Sequence, residues 1–246
     1  MSDWERLFWL LGLSPLLWLQ GRHVRRVTPR LPEPSGPRQG TAGQGPLLRL
    51  LIAGDSAAAG VGAPSQEQAL CGQLVARLGH RHRLAWRLLA AHGLDTPGLI
   101  AALDNLPPQR YDLVILSIGT NDVTSLRPPD EWVHQQQQLA ALIDARFAPR
   151  LLIHCALPPM HQFTALPQPL RWMMGRWAME MNRRLTASLP AEQSQRRMHQ
   201  PFAATDSASE ELASDGFHPG PSAYAMWAES LSVFISAALQ ETATTE

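Results

Sequence analysis

Ser56, Asn121, Asp215 and His218 are the residues of this chain whose types and surroundings could do chemistry. Ser56 stands in Gly54-Asp55-Ser56, and Asn121 in Gly119-Thr120-Asn121-Asp122. Asp215 and His218 fall in Asp215-Gly216-Phe217-His218-Pro219. A serine hydroxyl is a weak nucleophile and needs an adjacent base. His218 can take the Ser56 proton and return it to the leaving group. Asp215 precedes it at a spacing that lets a turn fold the carboxylate onto the imidazole, fixing its tautomer and stabilising the imidazolium. The tetrahedral intermediate of acyl transfer also needs hydrogen-bond donors for its oxyanion. The Ser56 N–H, the Gly93 N–H of Gly93-Leu94-Asp95-Thr96 and the Asn121 amide are the candidates, with Gly98 an alternative to Gly93.

The plainer readings belong beside these. Asp and Ser after a glycine favour helix caps, so Ser56 alone reads equally well as one. Asn121-Asp122 could form a simple Asx turn, with Asp122 buttressing the Asn121 loop. His218 could be a loop histidine packed by Phe217 and Pro219. The combination carries the acyl-transfer reading, because each polar group follows a predicted strand or precedes the last predicted helix.

Those elements follow from hydrophobic periodicity. Apolar runs at 47–53, 83–91, 112–118 and 151–156 read as buried strands. Helical spacing marks 67–78, 96–106, 129–147, 170–189 and 221–239, while 201–214 reads as irregular. Alternation of continuous apolar strands with helices implies an α/β fold with a parallel sheet covered on both faces. In such sheets ligands bind beyond the carboxyl ends of the strands, where the polar blocks fall. The loop from Pro158 to Pro169 leaves that same end. Leu157, Met160, Phe163 and Leu166, with Trp172, Met173 and Met174, read as core packing, or alternatively as an acyl-binding wall.

The blocks IAGDSAAAGVG, AAHGLDT, SIGTNDVT and DGFHPGPSAYAMWAE occur in an order that resembles the SGNH/GDSL hydrolases, a family of serine esterases and lipases. The resemblance spans residues 47 to 240. It implies a flavodoxin-like three-layer α/β/α sandwich and a catalytic Ser56–His218–Asp215 triad. Ser56, Gly93 and Asn121 would form the oxyanion hole, with no metal or organic cofactor. Two departures leave that chemistry untouched: Ala57 follows GDS where the family name has Leu, and HPGPSAY lacks the frequent glycine before the tyrosine. The expected activity is cleavage of carboxylic esters through an acyl-enzyme, on a short-chain or lipid ester or a thioester. A carbohydrate O-deacetylase and a catalytically silent membrane-tethered binding domain are the alternatives.

Composition narrows the field further. The chain has 246 residues, 45% apolar and 17% charged, which suits a globular domain. All 21 Lys-plus-Arg positions are Arg, which removes Schiff-base, pyridoxal and Walker-loop chemistry. A net charge of zero advertises no nucleic-acid groove. The dinucleotide pattern G-x-G-x-x-G is absent, against a nucleotide-binding flavodoxin-like protein. Cys71 and Cys155 sit apart in apolar segments and read as buried free thiols, and the histidines show no metal spacing.

Three regions follow: an apolar segment at 1–27, a Pro/Gly-rich linker at 28–46 and the hydrolase domain at 47–246. Leu7–Leu19 is uncharged but shorter than the ~20 residues a span needs. Asp3 and Glu5 before it and Arg22, Arg25, Arg26 and Arg30 behind it do not suit a cleaved signal peptide. Two readings remain: contact of residues 4–19 with a membrane surface, Trp4, Trp9 and Trp18 near the headgroups, or a helix packed on the domain or a partner. The charge asymmetry leans toward the cytoplasmic, inner face.

Overall fold

The computed structural model describes residues 12–189, 196–199 and 211–244. Trp4, Trp9 and the rest of 1–11, and 201–210 of the stretch expected to be irregular, lie outside the described residues. The chain runs α1 (Ser14–Val27), β1 (Gln39–Ala42), β2 (Leu47–Gly54), α2 (Ser56–Ala59), α3 (Leu70–Leu78), β3 (Arg83–Ala90) and α4 (Thr96–Asp104). It continues β4 (Leu113–Ser117), α5 (Thr120–Thr124), α6 (Pro129–Phe147), β5 (Leu151–Cys155), α7 (Leu170–Ser188), β6 (Arg196–His199) and α8 (Pro221–Thr244).

The sheet order is β1-β3-β2-β4-β5-β6. All neighbours are parallel except β1, which pairs antiparallel with β3 at the edge. The parallel strands alone follow the flavodoxin-like order, whose direction reverses between β2 and β4. Side-chain alternation divides the core. Leu50, Ile52, Leu113, Ile115, Leu151 and Ile153 face α3 and α8. Leu51, Ala53, Val114, Leu116 and Leu152 face α4 and α6. Every residue of β4 and β5 is buried, as strands covered on both sides require. The three-layer α/β/α sandwich is therefore the observed architecture.

Three local expectations need correction. The Pro/Gly-rich stretch read as linker contributes β1, because Gln39–Ala42 contains no proline and an edge strand needs only one partner. The Arg38 guanidinium fixes it further by donating to Glu33 Oε2 (2.6 Å) and to the Ala90 carbonyl. The helix expected over 67–78 is split: a 3₁₀ turn covers 66–68, Ala69 is extended (ψ 170°), and α3 starts at Leu70. Finally, β6 (RRMH) escaped the apolar criterion because it is an edge strand pairing only with β5.

Candidate active site

The switch point of the sheet is where the sequence blocks meet. The chain leaves β2 through Asp55, whose N–H donates to Ser117 O at the end of β4 (3.0 Å). The Asp55 side chain caps α2 by accepting from Ala57 N (3.0 Å), which sets Ser56 at the first helical position. Asp55 is thus the cap of this turn and Ser56 is not. Burial pushes the Asp55 carboxyl up to about 6, against the Ala57 N–H that donates to it.

His218 and Asp215 approach from the loop before α8. That loop is closed by an antiparallel bridge between Leu212 and Pro219 and by Ala213 N donating to His218 O (2.8 Å). Asp215 Oδ1 accepts from the N–H groups of Phe217 and His218, both at 3.0 Å. This Asx-type turn leaves Oδ2 facing His218 Nδ1 at 2.5 Å. Gly216 lies in the left-handed region (φ 63°), and a Cβ there would fall 2.5 Å from Thr164 Oγ1. The tight D-G-F-H turn therefore rests on glycine. Tyr224 of α8 donates to Val61 O (2.7 Å) and so ties the start of α8 to the segment that follows α2.

His218 Nε2 stands 2.8 Å from Ser56 Oγ, so Asp215, His218 and Ser56 form one hydrogen-bonded chain. All three are buried. Burial works against ionisation of Asp215, but hydrogen bonds from the His218 ring and from the His218 and Phe217 N–H groups outweigh it. Its carboxyl is held below the usual value and is ionised at neutral pH.

Gly93 and Asn121 meet through the neighbouring loop. Asn121 Nδ2 donates to Leu94 O (2.7 Å), joining the second and third sequence blocks and leaving its other N–H unused by that bond. Gly93 adopts φ 81°, and the space where a Cβ would stand is open. Among the described residues no backbone acceptor takes the N–H of Ser56 or Gly93. Gly98, the alternative, sits inside α4 with its N–H held by the Asp95 carboxylate (3.0 Å), so it has no donor to offer.

Two supports of this loop reach further than the sequence indicates. Asp122 is fully buried and accepts from Thr96 N (3.1 Å), Thr96 Oγ1 (2.8 Å) and Arg127 Nε (2.6 Å). It thereby locks the start of α4 against α5, a larger role than a local turn. Glu33 of the Pro/Gly-rich stretch accepts from His92 N (2.8 Å) and so steadies the residue before Gly93. The bonds from Thr96 to Asp122 and from His92 to Glu33 join positions far apart in the chain, and no local pattern signals them.

A cavity of about 60 Å³ opens beside Ser56 and His218. Its walls are mainly apolar: Ala156, Pro158, Pro159, Phe163, Leu212, Phe217 and Trp227, with Gln162 and Glu211 as polar members. Phe163 lines the cavity and also packs in the core cluster of α7, which takes Leu157, Met160, Leu166, Met173 and Met174 as well. Trp172 does neither and is 38% exposed. Leu212, Phe217, Ala223 and Trp227 were not legible as cavity residues, since they face it only once the last loop and helix are in place. Among the described residues no cluster of His, Cys, Asp and Glu is arranged to hold a metal ion.

With fold and geometry defined, comparison with known proteins places the chain. The model of the GDSL-like lipase/acylhydrolase family matches residues 52–226, and the chain belongs to that family. It is 29% identical to the GDSL-like esterase Rv1075c of Mycobacterium tuberculosis, over 94% of this chain and 79% of that protein. The fold is similar to the lipase Lip_vut3 from a goat rumen metagenome (TM-score 0.60, 18% identity, 76% of this chain and 96% of that one). It is also similar to a family two carbohydrate esterase from Clostridium thermocellum (TM-score 0.57, 14% identity, 78% and 65% covered).

Proposed function

We propose that the protein is a serine esterase that cleaves short-chain carboxylic esters through an acyl-enzyme on Ser56. The observation that carries this reading is the unbroken Asp215–His218–Ser56 hydrogen-bond chain opening onto an apolar cavity. In the first half-reaction His218 Nε2 takes the Ser56 proton as Oγ attacks the ester carbonyl. The Ser56 and Gly93 N–H groups and the Asn121 amide receive the oxyanion, and His218 then protonates the departing alkoxide. In the second half-reaction His218 activates water against the acyl-enzyme, and Ser56 leaves with its proton restored. Asp215 holds Nδ1 protonated throughout, so that Nε2 is the basic nitrogen.

Cavity size bears on the acyl group. The cavity is small, about 60 Å³, and mainly apolar, which suits an acyl group of a few carbons. A second reading, O-deacetylation of a hydroxylated substrate, draws on one observation. Gln162 Oε1 is buried with no hydrogen-bond partner among the described residues, and Gln162 lines the cavity with Glu211. An acceptor so placed suits a substrate hydroxyl. The experiment is hydrolysis of p-nitrophenyl esters from acetate to palmitate by the full chain, alongside acetate release from an acetylated monosaccharide. Acetate or butyrate esters should exceed palmitate by about a hundredfold or more in kcat/KM, since an excluded chain forfeits its burial. A palmitate optimum, or no hydrolysis of any ester, would contradict the reading. Faster turnover of the acetylated sugar would favour deacetylation.

A further inference from the structure

Helix α1 is mounted firmly, yet half of it faces outward. Leu13, Leu17 and Val24 pack into the core cluster of α7. Gln20 clamps the joint: its Nε2 donates to Gln168 O (2.7 Å), and its Oε1 accepts from Leu170 N (3.3 Å). On the other side Leu16, Trp18 and Leu19 are 44%, 58% and 58% exposed. The following turns present Arg22, Arg25 and Arg26, and Ser14–Val27 contains no acidic residue. The Arg22 guanidinium lies 5.0 Å over the Trp18 ring. On α7, close to the same joint, exposed Trp172 is covered in the same way by Arg176 at 6.0 Å.

We propose that the outward face of α1, with Trp172 beside it, docks the protein on an anionic lipid surface. An amphipathic helix lies in the interface when its apolar side enters the headgroup boundary and its cations meet anionic lipids. Indole rings favour that depth, with arginine side chains reaching the phosphates above them. The helix dipole explains why Arg25 and Arg26 suit the last turn, but not why Leu16, Trp18 and Leu19 face outward. Charge complementarity selects the lipid surface over a second copy of the chain. Paired parallel on α1, two copies would stack arginines on arginines, and paired antiparallel they would set leucines against arginines. The contact is peripheral: no helix among the described residues is long and apolar enough to cross a membrane. The neighbouring loop, through Ala165 N donating to Gly216 O (3.0 Å), touches the turn that carries Asp215 and His218.

The test is cosedimentation of the full chain with phosphatidylcholine vesicles, with and without phosphatidylglycerol. Binding to the mixed vesicles should exceed binding to phosphatidylcholine alone by at least about tenfold and weaken in high salt. Arg22→Gln/Arg25→Gln/Arg26→Gln should weaken that binding about a hundredfold. Leu16→Ser/Trp18→Ser/Leu19→Ser should remove binding at unchanged far-ultraviolet circular dichroism and unchanged hydrolysis of a soluble ester. Should the apolar variant misfold, the arginine variant alone decides. Absence of vesicle binding, equal binding to both vesicle types, or unchanged binding by the arginine variant would overturn the proposal. So would a dimer in solution that the apolar substitutions dissociate.

Discussion

Replacing Asp215 by Asn alters one atom of the carboxylate and keeps its shape, so the consequence can be worked atom by atom. Oδ1 accepts from two backbone N–H groups at 3.0 Å, which pins the amide oxygen of the asparagine to that side. The amide NH₂ then occupies the place of Oδ2, 2.5 Å from His218 Nδ1. An NH₂ group only donates, so Nδ1 must accept and the ring proton moves to Nε2. A protonated Nε2 opposite Ser56 Oγ, at 2.8 Å, cannot take the serine proton. The expected loss in kcat is about 10⁴-fold, or about 5 kcal/mol of transition-state stabilisation. KM should hold, because Asp215 is not among the cavity walls. The assay is steady-state hydrolysis of p-nitrophenyl acetate by wild type and Asp215→Asn, with thermal melting as a check on folding. A kcat loss below tenfold in a folded variant would refute the tautomer argument.

Other outcomes follow from the same geometry. Asn121→Ala removes one proposed oxyanion donor and should lower kcat about 10²- to 10³-fold, read in the same assay. Asp55 is held at about 6 by burial, so its neutral form is favoured in the folded state. Its contribution to stability is full below about pH 4 and is lost as pH rises through 6. Asp55→Asn keeps the acceptor for Ala57 N and never ionises. Urea unfolding should therefore show the variant gaining about 3 kcal/mol relative to wild type between pH 4 and pH 7.5, and an unchanged difference would refute the assignment. Burial pushes both Cys71 and Cys155 up to about 12. Neither thiol should react with Ellman's reagent at pH 8 until the protein is denatured, when both should.

The strands and helices of the layered core were legible because their apolar patterns repeat within a few residues. Leu113 to Ser117 reads as a buried strand from its own composition, and Leu70, Leu74 and Leu78 mark a helix face by spacing alone. The candidate site residues stand out in the sequence because each lies in a short block with a glycine or an Asx turn, as in Asp215-Gly216-Phe217-His218. What stayed hidden is what depends on distant partners. β1 and β6 draw their hydrogen bonds from strands far along the chain and carry no apolar run of their own. Asp122 resembles a local turn residue until Thr96 is brought to it. Phe163 and Met160 are equally apolar in sequence and both pack in the core cluster of α7, yet only Phe163 also lines the cavity.

The most direct measurement of the central claim compares the full chain with its Ser56→Ala variant on p-nitrophenyl acetate. The substitution deletes one oxygen and leaves Ser56's neighbours in place, so melting temperature should scarcely change. Loss of the nucleophile disables the unit formed with His218 and Asp215, and kcat should fall about a thousandfold or more. Equal turnover by the two folded proteins would contradict Ser56 as the nucleophile, and with it the acyl-enzyme mechanism.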